Sequence, residues 1–274
     1  IGWLYQYYNT EPKDAVFAKL RKNKKAEKNE IPAATQFFTP KWIVQYMVEN
    51  SLGQLWLEAN PNSDIKKSLK YYIEPATQAE EVKMKLEEIK YKSINLEEIT
   101  IIDPCVGSGH ILVYAFDLLY KMYEEAGYLS REIPKLILEN NLYGIDIDER
   151  ATQMASFVLM MKAREKSRRI FKQNVKLNIL AIIESNNLEL DGLETILATN
   201  QQEEKEIELI TYLFQDAKNY GSLLTPPKIK YEKYLSRIDN LGEVQVSIDN
   251  IIAYDQLKDF KEILKQSIVL SSLY

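Results

Sequence analysis

Short apolar runs alternate with longer amphipathic segments through the middle of the chain. Acids follow the apolar runs at residues 99–102 and 142–147, and a third run covers residues 176–183. Residues 111–126 and 151–164 instead repeat their apolar positions with the spacing of helices. Strands that alternate with helices predict a parallel sheet, and therefore a domain of the α/β class.

Both flanks of this central region are predicted to be mainly helical. Residues 31–38 are expected to be extended or loop, and the helix after them is predicted to begin with Thr39 as N-cap and Pro40 in the first position. The predicted helices of the flanks cover residues 14–27, 39–59, 79–91, 203–218, 231–238 and 255–273.

The loop after the first predicted strand carries the most specific signal. It opens with Asp103 and contains Gly107 and Gly109, which permit positive φ and the close approach of a ligand. It has neither the Gly-x-Gly-x-x-Gly of dinucleotide sites nor the Lys-Ser/Thr of triphosphate loops. A carboxylate before the glycines would repel a pyrophosphate, but it suits a ligand with positive charge. S-adenosylmethionine, with its sulfonium and ammonium groups, is such a ligand.

A second acid, Asp146, ends the next predicted strand. A carboxylate there can accept hydrogen bonds from the two hydroxyls of a ribose. Asp146 lies farther along the chain than the roughly 20 residues that separate loop and acid in dinucleotide folds. The alternatives are that Asp103 only caps the following helix and that Asp146 is an ordinary loop acid. The glycines beside Asp103 favour the cofactor roles.

Three motifs resemble one enzyme family. Residues 103–112 (Asp-Pro-Cys-Val-Gly-Ser-Gly-His-Ile-Leu) resemble the S-adenosylmethionine loop of N6-adenine DNA methyltransferases. Residues 35–44 resemble their upstream cofactor motif, and residues 144–148 resemble their ribose motif. Residues 31–36 and 48–53 resemble the large adenine methyltransferases of BREX phage-defence systems, the PglX family. The resemblance covers nearly the whole chain.

The resemblance implies a Rossmann-like S-adenosylmethionine-dependent fold with an incomplete parallel sheet. Residues 1–98 would form a helical region that includes the upstream motif, and residues 99–274 the cofactor-binding core. The adenine-side contact is either Glu184 or Ser222. The implied cofactor contacts are Phe38, Thr39, Pro40, Asp103, Pro104, Cys105, Gly107, Ser108, Gly109, His110, Asp146 and Ile147.

The implied reaction is methyl transfer from S-adenosylmethionine to adenine N6 in DNA, in phage defence or restriction-modification. Such enzymes hold the flipped adenine with an Asn/Asp/Ser-Pro-Pro-aromatic motif. The nearest string, Thr225-Pro226-Pro227-Lys228, lacks the amide and the ring and is interpreted as a turn. We therefore expect a chain that stops before the catalytic strand, contains no catalytic residue and is inactive alone. Double-stranded DNA, through the full-length protein, and other defence-system proteins are the expected partners.

Two alternative functions stay open. The chain could be the methylase half of a fused type II restriction-modification enzyme, which a nuclease motif would decide. It could also be a non-catalytic module that uses the fold to recruit partners. The presence of Asp103, Gly107, Gly109 and Asp146 argues against the second alternative.

Composition and charge limit the ligands and the cellular location that we expect for this chain. Net charge is −5, whereas a domain that grips DNA by itself is usually basic. The basic clusters at residues 21–25 and 164–169 are interpreted as solvated helix ends, with phosphate contact as the alternative. The single cysteine, Cys105, excludes an internal disulfide and is interpreted as a turn residue. The single histidine excludes a metal cluster built on several histidines. No apolar run approaches the roughly 20 residues of a membrane helix, so a cytoplasmic protein without membrane contact is expected.

Overall fold

The computed structural model describes residues 2–27, 30–35, 38–241 and 251–271, and within these ranges helices predominate. The strands β1 (Ile101–Asp103), β2 (Leu142–Asp146) and β3 (Asn178–Ala181) form one sheet in that order. β1 and β2 are parallel, with Asp103 opposite Gly144. The predicted α/β class is confirmed in its coarse form, since a small sheet lies among many helices.

The chain divides into two compact units. The first unit comprises Ile1–Gly144 and Arg150–Ile179, and the second comprises Ile145–Glu149 and Leu180–Tyr274. The boundary predicted near residue 98 rests on motif content and stays a prediction. Up to the second strand and the helix after it, the α-helices are α1 (Gly2–Leu20), α2 (Ile31–Thr35), α3 (Lys41–Val48), α4 (Gln54–Ala59), α5 (Glu80–Ile89), α6 (His110–Glu125), α7 (Ile133–Leu136) and α8 (Glu149–Lys166).

Helix α6 lies at the centre of the first unit. Leu112, Phe116, Leu119 and Tyr123 follow one another at helical spacing, and all four are fully buried. Burying one such side chain contributes roughly 1.5–3 kcal/mol. The helix packs against α3 and α7 and follows directly from the glycine loop. The core of this unit therefore fixes the position of the loop.

Two π-helical turns each carry a fully buried polar side chain. The turn Glu49–Gly53 joins α3 to α4, and Glu49 accepts hydrogen bonds from the Tyr71 N–H and the Tyr114 hydroxyl. The turn Ile137–Asn141 follows α7. The Asn141 amide donates to the carbonyls of Leu96 and Ile99, at 2.7 Å each, and accepts from the Tyr123 hydroxyl. Both turns therefore connect the helices to segments distant in sequence.

The second unit is helical apart from the strand residues it shares in β2 and β3. Glu203, which is 7% exposed, accepts two hydrogen bonds from the Arg237 guanidinium and one from the Thr199 hydroxyl. Its helices are α9 (Leu190–Leu197), α10 (Gln201–Leu213), α11 (Ala217–Tyr220), α12 (Tyr231–Leu241) and α13 (Ile251–Ser271). Its core includes the fully buried Leu197, Ile210, Phe214, Tyr234, Phe260 and Leu264.

Three local predictions for residues 14–40 are wrong. The helix predicted over 14–27 belongs to α1, which ends at Leu20 because Asn23 adopts a left-handed conformation with φ 58°. Residues 31–35 are helical, since Pro32 falls in the first turn, where a missing N–H costs nothing. Thr39 is not the N-cap of α3: Pro40 occupies that position without a side-chain cap.

No helix in the described ranges is both long and apolar enough to cross a bilayer.

Candidate functional site

The loop begins at a buried acid. Asp103 is the last residue of β1 and is 7% exposed. Its Oδ1 accepts a hydrogen bond of 3.2 Å from the Cys105 N–H, which is the geometry of an Asx turn. Pro104 and Cys105 are exposed. The carboxylate therefore both shapes the first turn of the loop and places a negative charge at its base.

The two glycines of the loop serve different purposes. Gly107 has φ 52°, and a Cβ added there would meet no protein atom within 4 Å. Gly109 has φ 83°, and an added Cβ would lie 3.1 Å from the Cβ of Ala155 on α8. The first glycine thus leaves open space above the loop. The second allows the loop and α8 to pack closely.

A third glycine supports the loop from the sheet. Gly144 stands opposite Asp103, and an added Cβ would lie 2.9 Å from both Val106 Cγ2 and Ile179 Cδ1. Val106 belongs to the loop and is 4% exposed. The sequence prediction did not assign this role to Gly144. A glycine inside a strand is nevertheless the signal of a close approach, and it could have been used.

The start of α6 brings the upstream motif to the loop. His110 is the first residue of α6, and the Phe38 ring meets its ring edge-on with centroids 6.1 Å apart. The Ser108 hydroxyl lies 3.4 Å from His110 Nδ1. Burial lowers the pKa of His110 from its ordinary value. Thr39 is half-buried and Pro40 exposed, and the Pro40 carbonyl accepts from the N–H groups at the start of α3.

The second acid lies at the end of β2. Asp146 is half-buried, and its Oδ1 accepts a hydrogen bond of 2.9 Å from the Asp148 N–H. Its backbone carbonyl accepts from Ile182 N at 2.8 Å, where the chain leaves β3. Ile147 is half-buried, as is Glu184, two residues beyond Ile182. Glu184 therefore follows the strand that pairs with the end of β2.

Ser222 has a different setting from Glu184. It belongs to the 3₁₀ turn Gly221–Leu223 that follows α11, and it is half-buried. The turn begins at Gly221, with φ 56°. No strand end leads to Ser222, so its place in the sheet architecture gives no reason to prefer it over Glu184.

The arrangement suits an organic ligand. β1, which is parallel to β2, ends in the acid Asp103, and ligands of open α/β sheets bind outside the carboxyl ends of parallel strands. The N-terminus of α6, a helix of 16 residues, adds partial positive charge beside the loop. Within the part of the chain that the structure describes, no three His, Cys, Asp or Glu side chains are grouped to hold a metal ion.

Sequence comparison identifies the class of protein to which this loop belongs. Residues 76–237 match the DNA-methyltransferase domain of the MmeI family. The chain belongs to this family of DNA-methyltransferase domains, because the match covers more than half of its length.

Two relatives show which kind of DNA methyltransferase the chain is similar to. The chain is 44% identical to the adenine-specific methyltransferase BrxX of Escherichia coli O9:H4 (strain HS) over 89% of its length. It is 37% identical over its full length to the adenine-specific methyltransferase PglX of Lacticaseibacillus casei (strain Zhang). The predicted membership of the BREX-type adenine methyltransferases is confirmed. The chain spans 22% and 23% of the lengths of these two relatives.

A third relative is matched over a shorter region. It is a putative type II restriction enzyme and methyltransferase of Methanocaldococcus jannaschii, 40% identical over 72 residues, which is 24% of this chain and 6% of that protein. The similarity links the sequence to restriction-modification enzymes as well.

Proposed function

We propose that this chain binds S-adenosylmethionine and forms the cofactor-binding part of an adenine-specific DNA methyltransferase. The observation that carries the proposal is the open space at Gly107, beside the buried carboxylate of Asp103. A cofactor can contact the backbone of the loop there because no side chain intervenes. The adenine-specific relatives support the reaction class, and S-adenosylmethionine is the methyl donor that the loop chemistry fits.

The described residues offer a partner for each end of the cofactor. The Asp103 carboxylate suits the methionine ammonium, and the N-terminus of α6 suits the methionine carboxylate. Asp146 accepts from the ribose hydroxyls, with Ile147 beside the adenine ring. Phe38, Thr39 and Pro40 are the proposed cofactor contacts from the upstream motif, and of these Phe38 packs against His110 at the start of α6.

For the adenine side of the cofactor, Glu184 is the better candidate. The chain leaves β3 through the hydrogen bond from Ile182 N to the Asp146 carbonyl, two residues before Glu184. Ser222 is reached only after α9, α10 and α11. The direct continuation from a strand end therefore favours Glu184 over Ser222.

The relatives also support a proposal for the biological role of the whole protein. We infer that the whole protein methylates adenine N6 in double-stranded DNA as part of phage defence in the cytoplasm, with other defence-system proteins as partners. A fused type II restriction-modification enzyme is the alternative, because the third relative is a protein of that kind. In either case the cofactor-binding role of this chain is the same.

Calorimetric titration with S-adenosylhomocysteine tests the proposal. The informative variant is Asp146→Asn, because the amide oxygen can still accept from the Asp148 N–H while its NH₂ cannot accept from a ribose hydroxyl. We expect affinity to fall about tenfold or more, in line with the loss of a charge-assisted hydrogen bond. Asp148→Asn is the matched control and should bind as the parent chain does. Equal affinity of Asp146→Asn and the parent would refute the ribose assignment.

A further inference from the structure

A short segment concentrates positive charge in an otherwise acidic chain. Residues 162–176 contain seven basic residues and one acid, whereas the whole chain has a net charge of −5. The segment comprises the last turn of α8, the 3₁₀ turn Ile170–Lys172 and the approach to β3. It lies entirely within the first compact unit. Its charge is therefore a property of one continuous region of that unit.

Buried side chains hold this segment in a fixed conformation. Ala163 and Ile170 are fully buried and Ser167 is 7% exposed. The Ser167 N–H donates to the Ala163 carbonyl at 2.8 Å, and the Ile170 N–H donates to the Ser167 carbonyl at 3.2 Å. Between these anchors, residues 165, 166, 168 and 169 are exposed. Arg164, Lys166, Arg168, Arg169 and Lys172 form what we call the α8 basic surface, and all but the half-buried Arg164 are exposed.

The one acid within this segment, Glu165, and one acid on α6, Asp117, are both paired with Lys162. Lys162 Nζ lies 2.9 Å from Asp117 and 3.6 Å from Glu165. In the described ranges, no ion pair involves a member of the α8 basic surface. Among the described residues, the cations of this surface are therefore not held in direct ion pairs.

Aromatic rings orient two of these cations. Lys166 Nζ lies 4.6 Å from the centroid of the Tyr120 ring, and the Arg164 guanidinium carbon lies 6.0 Å from that of Phe171. Phe171 is 57% exposed. The surface thus combines oriented cations with an exposed aromatic ring.

The other basic cluster has a different charge environment. Residues 21–25 carry four basic side chains, but acids stand before and after them in the sequence. Lys19, on the same helix end, forms an ion pair with Glu30. This cluster therefore resembles an ordinary solvated helix end, and it provides a matched control.

The α8 basic surface is separate from the glycine loop. Ala155 on α8 packs against Gly109, and Lys166 follows eleven residues later on the same helix. At a rise of 1.5 Å per residue the two points are about 16 Å apart along α8. The glycine loop and the α8 basic surface therefore use different parts of α8.

We propose that the α8 basic surface binds the phosphate backbone of duplex DNA without reading its sequence. Duplex DNA presents a dense row of negative charges, and arginine and lysine side chains neutralise them with release of counterions. The choice of DNA among polyanions rests on the proposed function. The surface would hold the duplex to this unit, while methyl transfer uses the separate cofactor loop.

Fluorescence anisotropy with a labelled 20-base-pair duplex tests the proposal on the 274-residue chain. The test variant is Arg168→Gln/Arg169→Gln/Lys172→Gln, and the control is Arg21→Gln/Lys22→Gln/Lys24→Gln, which removes the same charge. At 50 mM salt we expect the test variant to bind the duplex about tenfold or more weakly than the parent chain. The slope of log K against the logarithm of the salt concentration should become smaller in magnitude by about 3. The control should retain most of its affinity.

Three results would overturn the proposal: no binding by the parent chain at low salt, an equal loss in both triple variants, or an unchanged salt dependence in the test variant. The charge-preserving variant Arg168→Lys/Arg169→Lys should bind as the parent does. Calorimetry with S-adenosylhomocysteine on the same proteins separates this proposal from the cofactor proposal. Loss of DNA affinity with intact cofactor binding supports the surface, and absent cofactor binding counts only against the proposed function.

Discussion

The Tyr114 hydroxyl donates a hydrogen bond of 2.5 Å to Oε1 of Glu49. Tyr114 lies on α6, one turn beyond His110, and Glu49 begins the π-turn that follows α3. The bond therefore connects the helix of the upstream motif with the helix of the glycine loop. It also supplies one of the partners that a fully buried carboxylate requires.

Removing this hydroxyl should destabilise the first unit. Tyr114→Phe leaves one oxygen of Glu49 without that donor, and we expect the free energy of unfolding to fall by about 1–3 kcal/mol. Urea denaturation measures the change. The control is Tyr46→Phe on α3, where the side chain is 42% exposed and the effect should stay within about 0.5 kcal/mol. Equal stabilities of the two variants would show that the buried bond contributes nothing.

The same pair gives a prediction at alkaline pH. Burial, and then the hydrogen bond to Glu49, raises the pKa of Tyr114 to about 12. An unfolded tyrosine titrates near pH 10, so the neutral phenol stabilises the fold fully below about pH 10. That stabilisation is lost as the pH rises towards about 12. The stability difference between parent and Tyr114→Phe should narrow over this interval, and a constant difference would contradict the assignment.

Gly144→Ala should lower the stability of the first unit and displace the glycine loop. The added Cβ would come within 2.9 Å of Val106 and Ile179, so one of them must move. Overpacking of this kind costs about 1–3 kcal/mol, and displacement of Val106 should also weaken cofactor binding. Urea denaturation and calorimetry measure the two effects. Gly192→Ala on α9 is the control: no atom lies within 4 Å of the added Cβ, and stability should rise slightly.

The two loop glycines should respond differently to substitution by valine. Gly107→Val places its side chain in open space, so cofactor binding should be lost while the fold is retained apart from a cost of about 1–2 kcal/mol for positive φ. Gly109→Val also collides with Ala155 and should lower the melting temperature further. Calorimetry and thermal melting separate the two outcomes. Normal cofactor binding by Gly107→Val would exclude this loop as the cofactor site.

Acid should weaken the second unit through Glu203. The Arg237 guanidinium holds the pKa of Glu203 far below its ordinary value of 4.5. The carboxylate therefore stabilises the fold above about pH 4.5, and this contribution is lost as the pH falls below that value. Glu203→Gln should cost about 1–3 kcal/mol at pH 7 and less at pH 3. The exposed Glu208→Gln on the same helix should change stability at neither pH.

The 274-residue chain should not methylate DNA by itself. Its sequence contains no Asn/Asp/Ser-Pro-Pro-aromatic motif, which would hold the amino group and the ring of a flipped adenine. Tritiated methyl transfer to unmethylated duplex DNA, beside a full-length relative, measures this. Robust incorporation by this chain would mean that other groups in it position the base.

Sequence patterns predicted the sheet and the loop well. The strands β2 and β3 fall inside the predicted runs, and β1 overlaps its predicted run and extends one residue further, to Asp103. Each strand carries an apolar stretch that ends at an acid or a turn, which is the pattern that the prediction used. Phe38 and His110 belong to different motifs, and the structure brings their rings together. The predicted cofactor contacts themselves stay predictions, since they depend on a ligand.

Other features could not be predicted because tertiary packing determines them. The helix predicted over 39–59 is interrupted at Glu49, where a buried carboxylate must meet Tyr71 and Tyr114. The tight packing around Gly144 depends on Val106 and Ile179, which come from two other segments. Neither relationship leaves a periodic pattern in the sequence.

The two π-turns have a consequence for how the first unit reaches its native state. Apolar contacts tolerate small slips between packed segments, but Asn141 must meet the carbonyls of Leu96 and Ile99, and Glu49 must meet Tyr71. A segment that docks one residue out of register would leave these buried groups unsatisfied, at about 1–3 kcal/mol for each group. The native bonds themselves contribute less than this penalty. The two π-helical turns therefore act mainly against misfolded states, because they make packing in the wrong register unfavourable.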